Sequence, residues 1–370
     1  MSKAATGLVL SAPRAFERRE FDLPELGEED GLLRVEACGL CGTDHEQYTG
    51  HVHSAHAFIP GHEVIGVVES LGDQAAERWG VEAGQRVAVE VFQSCRTCEA
   101  CRAGVYRRCE RNGIATMIGF TSADTPPGLG GGYATHLYLG PDSMLLPVPD
   151  SLDPVTASLF NPLGAGIRWA VEVPETRPGD VVAILGPGVR GLCSAAAVKE
   201  AGAEFVMITG LGPRDAERLA LAPAFGVDLA VDVAETDPNR ALRDAIGRKA
   251  DVVVDVTAKA PAALGQAVQL ARPGGTVVLA GVRASADTPG FDPDHIVYKE
   301  LRILGALGVD VTAYRKALDL LVAGRYPFAE LPRQVAGFDD VEPLLQTLAG
   351  ERPGIPPVHA VFAPDRGAIS

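Results

Sequence analysis

Two cysteines with the C-x-x-C spacing occur in the stretch CGLCGTDHE, which begins at Cys38 and includes Cys41. This spacing serves either a redox-active thiol pair or half of a zinc site. A GHE sequence follows, in which the histidine is His62 and the glutamate is Glu63. One of the cysteines and His62 can bind one metal ion if two strands bring them together, and Glu63 can be a third ligand or lie just behind the ion. Three protein ligands and one open position make a zinc site that polarises an oxygen atom, which is the catalytic arrangement.

A second cysteine cluster lies in CRTCEACRAGVYRRC, with the spacing C-x2-C-x2-C-x7-C. Its members are Cys95, Cys98, Cys101 and Cys109. Four thiolates on a short loop can surround a tetrahedral zinc ion and leave no position for water or substrate, so this site is predicted to be structural. Metal binding would then add local folding energy, on the order of 10 kcal/mol by comparison with small zinc peptides. An iron–sulfur cluster is the alternative, but neither a further cysteine cluster nor an obvious electron-transfer partner supports it.

The segment ILGPGVRGLCSAAA carries the pattern G-x-G-x-x-G between a strand-like run and a helix-like run. Gly186 would make the tight turn, Gly188 would let the backbone approach a pyrophosphate, and Gly191 would permit close packing of helix on strand. Val189 lies in the same loop, where the first N–H groups of the helix face the phosphates. The strand–turn–helix context predicts dinucleotide binding, whereas the motif alone could be a structural turn.

The choice between NAD and NADP depends on the end of the next strand-like run, EFVMITG. An NAD site has a carboxylate there, about 20 residues past the glycines, that binds the ribose 2′-hydroxyl. This chain has Gly210 instead, which removes the repulsion of a 2′-phosphate. Arg214, near the start of the following helix, is a candidate phosphate ligand; the alternative is a solvated surface arginine. The sequence therefore favours NADP slightly over NAD.

Composition limits the classes of partner and compartment. The chain has 370 residues, enough for two domains, and a formal charge of −15 from 33 basic and 48 acidic residues. This acidity argues against nucleic acid and anionic membranes as partners, because both require clustered lysine and arginine. No apolar run is long enough to span a bilayer, and the N-terminus lacks the hydrophobic region of a signal peptide. Seven clustered cysteines suit metal binding in a reducing compartment, so a cytoplasmic protein is expected.

The secondary-structure pattern changes along the chain. The first 150 residues contain short β-type runs such as GLLRVEA and VIGVVES between glycines and prolines, which predicts a β-rich domain with long loops. From about Gly179, wholly apolar runs such as VVAIL and DVVVDV alternate with helix-like stretches. This alternation predicts βαβ units and a doubly wound parallel sheet, and hence an α/β protein. Two amphipathic helices and a final strand follow ELRILGAL.

The chain resembles the zinc-dependent medium-chain dehydrogenases/reductases, in particular the alcohol and polyol dehydrogenases. The resemblance covers essentially the whole chain and is carried by GLCGTD, PGHEVIG, the four-cysteine segment, the glycine loop with its preceding PGD, RPGGTVVLAG and YKELRILGALG. It implies a β-rich, GroES-like catalytic domain and a doubly wound Rossmann cofactor domain with a parallel sheet. The expected bounds are 1–162 for the catalytic domain, with a structural zinc lobe at 91–111, then 163–306 for the cofactor domain and 307–370 for the return to the catalytic domain.

The resemblance assigns roles to the first cysteine motif. Cys41 is implied as a zinc ligand together with His62, and Cys38 is not a ligand. Thr43 matches a hydroxyl that hydrogen-bonds the alcohol oxygen and begins a proton relay, and Asp44 matches a carboxylate that orients the histidine from behind. The implied reaction is hydride transfer between an alcohol, polarised by zinc, and the nicotinamide of NAD or NADP, which gives a ketone or an aldehyde. Two zinc ions are expected per chain, one catalytic and one structural.

Two positions depart from the family pattern. Many relatives end the relay on a histidine where this chain has Glu46, and His45 stands one residue earlier, so the relay can end on either side chain or on water. Relatives have a cysteine or a glutamate as third ligand where this chain has Asn161. A neutral amide oxygen is a poor zinc ligand, so Glu63 is the expected third ligand, and Asn161 would bind weakly or hold water. A protein impaired in catalysis by Asn161 is the alternative.

Substrate and assembly follow only in outline. The loop between the two motifs contains His51, His53 and His56, which could form a further metal site but are better explained as a polar loop beside the substrate cleft. The expected substrate is a small alcohol or carbonyl compound, such as a secondary alcohol, a polyol or a sugar. Reduction of a conjugated C=C bond is the alternative reaction within the family. Relatives are dimers or tetramers formed through the cofactor domain, so a homo-oligomer is expected.

Overall fold

The computed structural model describes residues 4–52, 55–258, 260–282 and 288–365; His53 lies outside these ranges. The chain divides into two compact units. The first unit consists of three segments, Met1–Phe160, Leu318–Ala323 and Phe328–Ser370. The second consists of Asn161–Ala317 and Gly324–Pro327.

The strands of the described residues are numbered in chain order. Seven belong to the N-terminal part of the first unit: β1 (Ala4–Ala12), β2 (Ala15–Asp22), β3 (Gly31–Leu40), β4 (Glu63–Leu71), β5 (Arg86–Val89), β6 (His136–Leu139) and β7 (Leu145–Pro147). Six belong to the second unit: β8 (Val181–Leu185), β9 (Phe205–Gly210), β10 (Leu229–Asp232), β11 (Ala250–Asp255), β12 (Ala271–Leu279) and β13 (Arg302–Gly305). The last two return to the first unit: β14 (Arg333–Ala336) and β15 (His359–Phe362).

The α-helices of the described residues are short, and they are also numbered in chain order. They are α1 (Gly42–Tyr48), α2 (Asp73–Trp79), α3 (Glu99–Arg102), α4 (Pro154–Ala157), α5 (Phe160–Gly166), α6 (Val189–Glu200), α7 (Ala216–Leu221), α8 (Pro238–Ile246), α9 (Ala263–Leu270), α10 (Asp294–Lys299), α11 (Val311–Ala323) and α12 (Val341–Ala349). A π-helical turn, Ile167–Glu172, continues α5. Throughout the described ranges, none of the helices combines the length and the apolar character needed to cross a membrane.

The first unit is built on a seven-stranded sheet. Its strand order is β14-β15-β3-β4-β5-β7, and β6 pairs with the other end of β3. The pairs are antiparallel except β14 with β15. Because β3 and β4 are apolar along most of their length, they are buried and form the middle of the hydrophobic core. The predicted β-rich, GroES-like fold is confirmed.

The second unit is a six-stranded parallel sheet in the order β10-β9-β8-β11-β12-β13. Every residue of β8 (VVAIL) is buried, as expected for a strand covered by helices on both faces. The strand order changes direction between β8 and β11, and this switch point is where open α/β sheets bind their ligands, at the carboxyl edge. The predicted doubly wound Rossmann sheet is confirmed, and the glycine loop leaves β8 at that edge.

Candidate metal sites and dinucleotide loop

The pairing of β3 with β4 brings the first cysteine motif to the GHE sequence. The strands are antiparallel, with Gly39 opposite Glu63, so Cys41, just past the end of β3, meets His62, just before β4. The Sγ atom of Cys41 lies 3.4 Å from Nε2 of His62. A carboxylate oxygen of Glu63 completes a group in which all three ligand atoms lie within 4.8 Å of one another. All three side chains are buried, so a metal ion here would be shielded from bulk water.

Gly39 makes room for the carboxylate of Glu63. A Cβ atom at residue 39 would lie 2.1 Å from Oε2 of Glu63, closer than atoms can approach, and 3.1 Å from its Cβ, which is a tight contact. Glycine at position 39 therefore lets the Glu63 carboxylate occupy its place in the group, and a larger residue would displace that carboxylate. This requirement was not predicted, although the position of Gly39 between the two motif cysteines is visible in the sequence.

The start of α1 fixes Cys41 and Asp44 against each other. The backbone N–H of Cys41 donates to Oδ2 of Asp44 at 2.7 Å, and this bond forms half of a capping box at the helix N-terminus. The other carboxylate oxygen, Oδ1, lies 3.7 Å from Nδ1 of His62. Both of these atoms are buried and lack a hydrogen-bond partner among the described residues. Asp44 thus faces Nδ1 of His62, whereas the Cys41 sulfur approaches the other ring nitrogen, Nε2.

Cys38 does not join the metal group. Burial raises the pKa of its thiol well above the ordinary value, and the negative charge of Asp44 adds to this effect. Its Sγ atom instead contacts the carbonyl oxygen of Gly39 at 3.6 Å. A buried thiol with a raised pKa is neutral and unreactive, which favours the interpretation in which only Cys41 of the C-x-x-C acts.

Tyr133, which was not predicted as a site residue, packs against the same site. A Cβ atom at Gly61, which has φ +91°, would lie 2.6 Å from Cδ1 of the fully buried Tyr133. The ring therefore packs directly on the glycine that precedes His62. Within the described part of the chain, the Tyr133 hydroxyl has no hydrogen-bond partner. Burial and the nearby Asp44 carboxylate raise the pKa of this phenol, so it remains a neutral O–H group.

The two relay candidates have different surroundings. Nε2 of the buried His45 lies 2.9 Å from Oε1 of Glu351, at the end of α12. Glu351 also pairs with Arg14, and this guanidinium, with the help of His45, lowers the pKa of Glu351 to about 2. Glu46 instead has its Oε2 atom 3.5 Å from Nδ1 of the exposed His51. His45 is therefore bound to a structural ion-pair network, whereas Glu46 lies between His45, whose Nδ1 is 3.9 Å from its Oε1, and the exposed His51.

The four cysteines of the second cluster converge. Their four Sγ atoms all lie within 4.8 Å of one another; the residues are Cys95, Cys98, Cys101 and Cys109. The Thr97 hydroxyl and the backbone N–H of Cys98 donate to Sγ of Cys95 at 3.4 Å and 3.3 Å, and these bonds lower the pKa of that thiol to about 5. Hydrogen bonds that stabilise thiolate are those expected of a zinc ligand. Among the described residues, these four cysteines and the Cys41–His62–Glu63 group are the two sets with metal-ligating geometry.

The glycine loop has the space that a dinucleotide requires. Gly186 has φ +103°, and a Cβ atom at Gly191 would lie 1.9 Å from the carbonyl oxygen of Gly186, so helix and strand touch here. A Cβ atom at Gly188 would have no neighbour within 4 Å, which leaves the loop open where a pyrophosphate would approach. Val189 begins α6, whose N-cap is Gly188, so the first N–H groups of this helix lie next to the opening.

The end of β9 is more crowded than the sequence suggests. A Cβ atom at Gly210 would lie 2.9 Å from both Cβ of Asp215 and Cγ of Pro187. The Asp215 carboxylate accepts the N–H of Leu211 at 3.0 Å and pairs with Arg218 at 3.1 Å. A carboxylate thus lies beside the β9 end even though residue 210 is glycine.

Three further predicted residues, Asn161, Arg214 and Thr43, lie outside the two metal-ligating groups. Asn161 belongs to the second unit, where its buried Nδ2 donates to the Tyr314 hydroxyl at 2.9 Å. Arg214 is exposed on the segment between β9 and α7. Thr43 is half-buried in the first turn of α1.

Comparison with known proteins connects these features to one family. The model of the alcohol dehydrogenase GroES-like domain matches residues 27–150, and the model of the zinc-binding dehydrogenase domain matches residues 190–323. A protein of Mycobacterium tuberculosis named probable alcohol dehydrogenase is 64% identical over 358 residues, which cover 96% of this chain and 98% of that protein. Sorbitol dehydrogenase of Bacillus subtilis is 30% identical over 320 residues, which cover 85% of each chain.

Solved structures agree on the architecture. A protein of Sinorhizobium meliloti described as a zinc-binding dehydrogenase, solved bound to NADP, superimposes with a TM-score of 0.82 and 27% identity, covering 98% of this chain and all of the other. An alcohol dehydrogenase of Thermotoga maritima at 22% identity has a TM-score of 0.84 over 98% of this chain and 100% of its own and so shares the fold. Since both domain models match in the expected order and the mycobacterial relative is 64% identical over nearly the whole length, this chain belongs to the zinc-dependent medium-chain dehydrogenase/reductase family and is an oxidoreductase.

Proposed function

We propose that the chain transfers hydride between a small alcohol and NAD(P), with its reaction centre at the Cys41–His62–Glu63 group. The observation that carries this proposal is the 3.4 Å approach of Cys41 Sγ to His62 Nε2, with the Glu63 carboxylate in the same buried group. A thiolate, an imidazole and a carboxylate are the donor set that zinc prefers, and three protein ligands leave a fourth position for a substrate.

The chain's own residues would prepare this centre for zinc. Cys41, His62 and Glu63 would hold the ion, and Asp44 would accept the Nδ1–H of His62 so that Nε2 stays available to the metal. When bound, zinc supplies Lewis acidity that polarises the alcohol and favours loss of its proton. The buried surroundings of the three ligands exclude water, which strengthens their electrostatic interactions. Asn161 is not proposed as a ligand, because a neutral amide oxygen is a poor zinc ligand and the side chain belongs to the second unit, where its Nδ2 donates to Tyr314.

Proton removal is proposed to run from Thr43 through Glu46. Thr43 and Glu46 lie three residues apart on α1, so they share a face of the helix. Glu46 leads on to His51 at 3.5 Å, which is exposed to solvent. His45 is the weaker candidate for the end of the relay, because it is bound to Glu351.

The cofactor is proposed to bind along the glycine loop, with Gly186, Gly188, Val189 and Gly191 at its pyrophosphate. The absence of a carboxylate on Gly210 and the exposed Arg214 support a slight preference for NADP, as does NADP in the Sinorhizobium meliloti relative. Asp215 opposes it, although Arg218 partly neutralises this carboxylate. Comparing Arg214→Ala with the unaltered chain tests the assignment, since loss of NADPH affinity alone would identify a 2′-phosphate contact.

A second, structural zinc is proposed in the four-cysteine lobe, which makes two ions per chain. The thiolate-stabilising hydrogen bonds of Cys95 support it. The names of the relatives, which include sorbitol dehydrogenase and a D-xylulose reductase, support a secondary alcohol, polyol or sugar as substrate. A homo-oligomer and a cytoplasmic location are proposed on the basis of family membership and cysteine usage alone.

The test is an alcohol panel assayed with NAD and NADP in parallel, on protein whose zinc content has been measured. Turnover of a secondary alcohol or polyol, with two zinc ions per chain, is the expected result. Fully loaded protein that oxidises none of the panel and reduces none of the matching carbonyl compounds would contradict the proposal. If such protein instead reduced a conjugated C=C bond, the reaction class would have to be revised.

A further inference from the structure

The glycine loop carries a cation that its motif does not require. Arg190 occupies the last variable position of G-P-G-V-R-G and lies in the first turn of α6, whose N-cap is Gly188. The N-terminus of a helix has a partial positive charge, so a cationic side chain in the first turn is unfavourable unless something compensates it. The G-x-G-x-x-G motif leaves this position variable, so the loop itself does not require an arginine here.

An indole ring holds the guanidinium in place. The Cζ atom of Arg190 lies 5.0 Å from the centroid of the Trp169 ring, within the range of a cation–π interaction. The Trp169 ring is 6% exposed, and its Nε1–H donates to the carbonyl oxygen of Gly308 at 2.9 Å. The ring is therefore fixed at its polar end as well as by packing. Arg190 itself is only half-buried.

These three residues lie at the ligand-binding edge of the sheet. Arg190 follows β8 by five residues, and Gly308 follows β13 by three. Both connections leave the carboxyl ends of parallel strands, which meet at one edge of a doubly wound sheet. Dinucleotides bind across this edge, and the open space at Gly188 lies two residues before Arg190.

We propose that Arg190, positioned by Trp169, binds the pyrophosphate of the dinucleotide with its guanidinium. This inference depends on the proposed dinucleotide binding and goes beyond it. The fold predicts backbone N–H contacts from the glycine loop, whereas the charged side chain is an additional ligand. A guanidinium matches phosphate oxygens with two parallel N–H donors and is less costly to desolvate than an ammonium group. The aromatic platform reduces the conformational freedom that binding would otherwise remove.

The test measures binding and does not depend on turnover. Arg190→Ala is titrated by calorimetry with NADH, NADPH, ADP-ribose and adenosine, beside the unaltered chain. The matched control is Arg177→Ala, which removes an arginine whose side chain is 77% exposed and which precedes β8, at the opposite edge of the sheet. Arg190→Lys keeps the charge but not the planar fork.

We expect Arg190→Ala to weaken NADH, NADPH and ADP-ribose by about 10- to 100-fold each, the cost of one charge-assisted contact. Arg190→Lys should give an intermediate loss, and Arg177→Ala should give none. The affinity for adenosine, which has no phosphate, should not change. The dependence of the NADH dissociation constant on salt should become weaker in Arg190→Ala, because one screened charge pair is lost.

Three outcomes would overturn the inference. A loss restricted to NADPH would place Arg190 at the 2′-phosphate and not at the pyrophosphate. An equal loss for adenosine, or a fall in the Tm of the cofactor-free protein by more than a few degrees, would make Arg190 a purely structural residue. Unchanged affinities in Arg190→Ala would remove it from the site altogether. If the unaltered chain itself bound neither NADH nor NADPH, the proposed function would fail, and this result is distinguishable from the other three.

Discussion

The Oδ1 atom of Asp44 lies 3.7 Å from Nδ1 of His62, whereas the Cys41 sulfur lies 3.4 Å from the other ring nitrogen, Nε2. Both atoms are buried, and neither has a partner elsewhere in the described ranges. Burying unpaired polar atoms is costly, so this arrangement is best explained by a bound state in which Nδ1–H points at the carboxylate and Nε2 binds a metal ion. We therefore propose that Asp44 determines which ring nitrogen of His62 carries the proton.

Asp44→Asn should weaken metal binding at this site. The substitution removes the charge behind His62 while it keeps the side-chain shape, and loss of such a supporting group lowers metal affinity by roughly 10- to 100-fold. Zinc competition with a chromogenic chelator measures the change. Asp22→Asn, which alters an exposed aspartate at the end of β2, is the matched control. Equal zinc affinity in Asp44→Asn and the unaltered chain would show that Asp44 has no influence on the histidine.

Cys41→Ser and Cys38→Ser should behave differently although they alter the same C-x-x-C. The Sγ atom of Cys41 lies 3.4 Å from Nε2 of His62, whereas Sγ of Cys38 contacts the backbone carbonyl oxygen of Gly39 at 3.6 Å. We expect Cys41→Ser to retain one zinc ion per chain and to lose turnover by more than about 100-fold, beyond the loss for a supporting group. Cys38→Ser should keep both zinc ions. Measurements of zinc content and of initial rates distinguish the two variants. Loss of one zinc ion in Cys38→Ser would mean that the zinc ligand had been assigned to the wrong cysteine.

Gly39→Ala should disturb the site through Glu63. The added Cβ would lie 2.1 Å from Oε2 of Glu63, so the carboxylate must move. Overpacking of this kind costs about 1–3 kcal/mol of unfolding free energy, and the displaced carboxylate should reduce zinc affinity as well. The control is Gly42→Ala, where a Cβ would have no neighbour within 4 Å and alanine suits the helix better. Denaturant unfolding and zinc titration should separate the two variants; identical curves would show that Glu63 does not depend on Gly39.

Much of the architecture follows from the sequence because it depends on local pattern. Strands such as β8 are apolar at every position, and such a strand is buried on both sides only in a sheet that is covered on both faces. The same holds for the glycine loop, where Gly186 has a positive φ and Gly191 lies against the carbonyl oxygen of Gly186. Cysteine and histidine ligands are recognisable because few other residue types can bind zinc.

The remaining features of the site depend on register and distant contacts. Gly39 is required only because β3 and β4 pair so that it faces Glu63, and that pairing contains two register shifts that no local signal marks. Asp215 reaches the end of β9 by a turn that brings it back to Leu211, so a glycine at the expected position did not reveal the carboxylate. The bond of His45 joins it to Glu351, 306 residues away, beyond the reach of pattern analysis.

Glu351→Gln should lower stability at neutral pH and leave it unchanged in strong acid. Arg14 and His45 hold the pKa of Glu351 at about 2 instead of 4.5. A carboxylate with a depressed pKa in the folded state stabilises the fold above its unfolded pKa, and this contribution is lost as the pH falls from about 4.5 to about 2. Because the pair is partly exposed, we expect only about 1–2 °C in Tm at pH 7. Thermal scans from pH 7 to pH 3 should show the two curves converging; a constant difference would exclude the charge as the cause.

Gly188→Ala and Gly191→Ala should separate cofactor binding from folding. At Gly191 a Cβ would lie 1.9 Å from the backbone of Gly186, so alanine should destabilise the second unit by about 1–3 kcal/mol even without cofactor. At Gly188 the backbone has φ −68° and the Cβ would enter open space, so the cofactor-free protein should keep its Tm. That methyl group would occupy the approach of the pyrophosphate, so NADH affinity should fall by about tenfold or more. Calorimetric titration and thermal unfolding of both variants provide the comparison. Full NADH affinity in Gly188→Ala would mean that the cofactor does not approach the backbone at this turn.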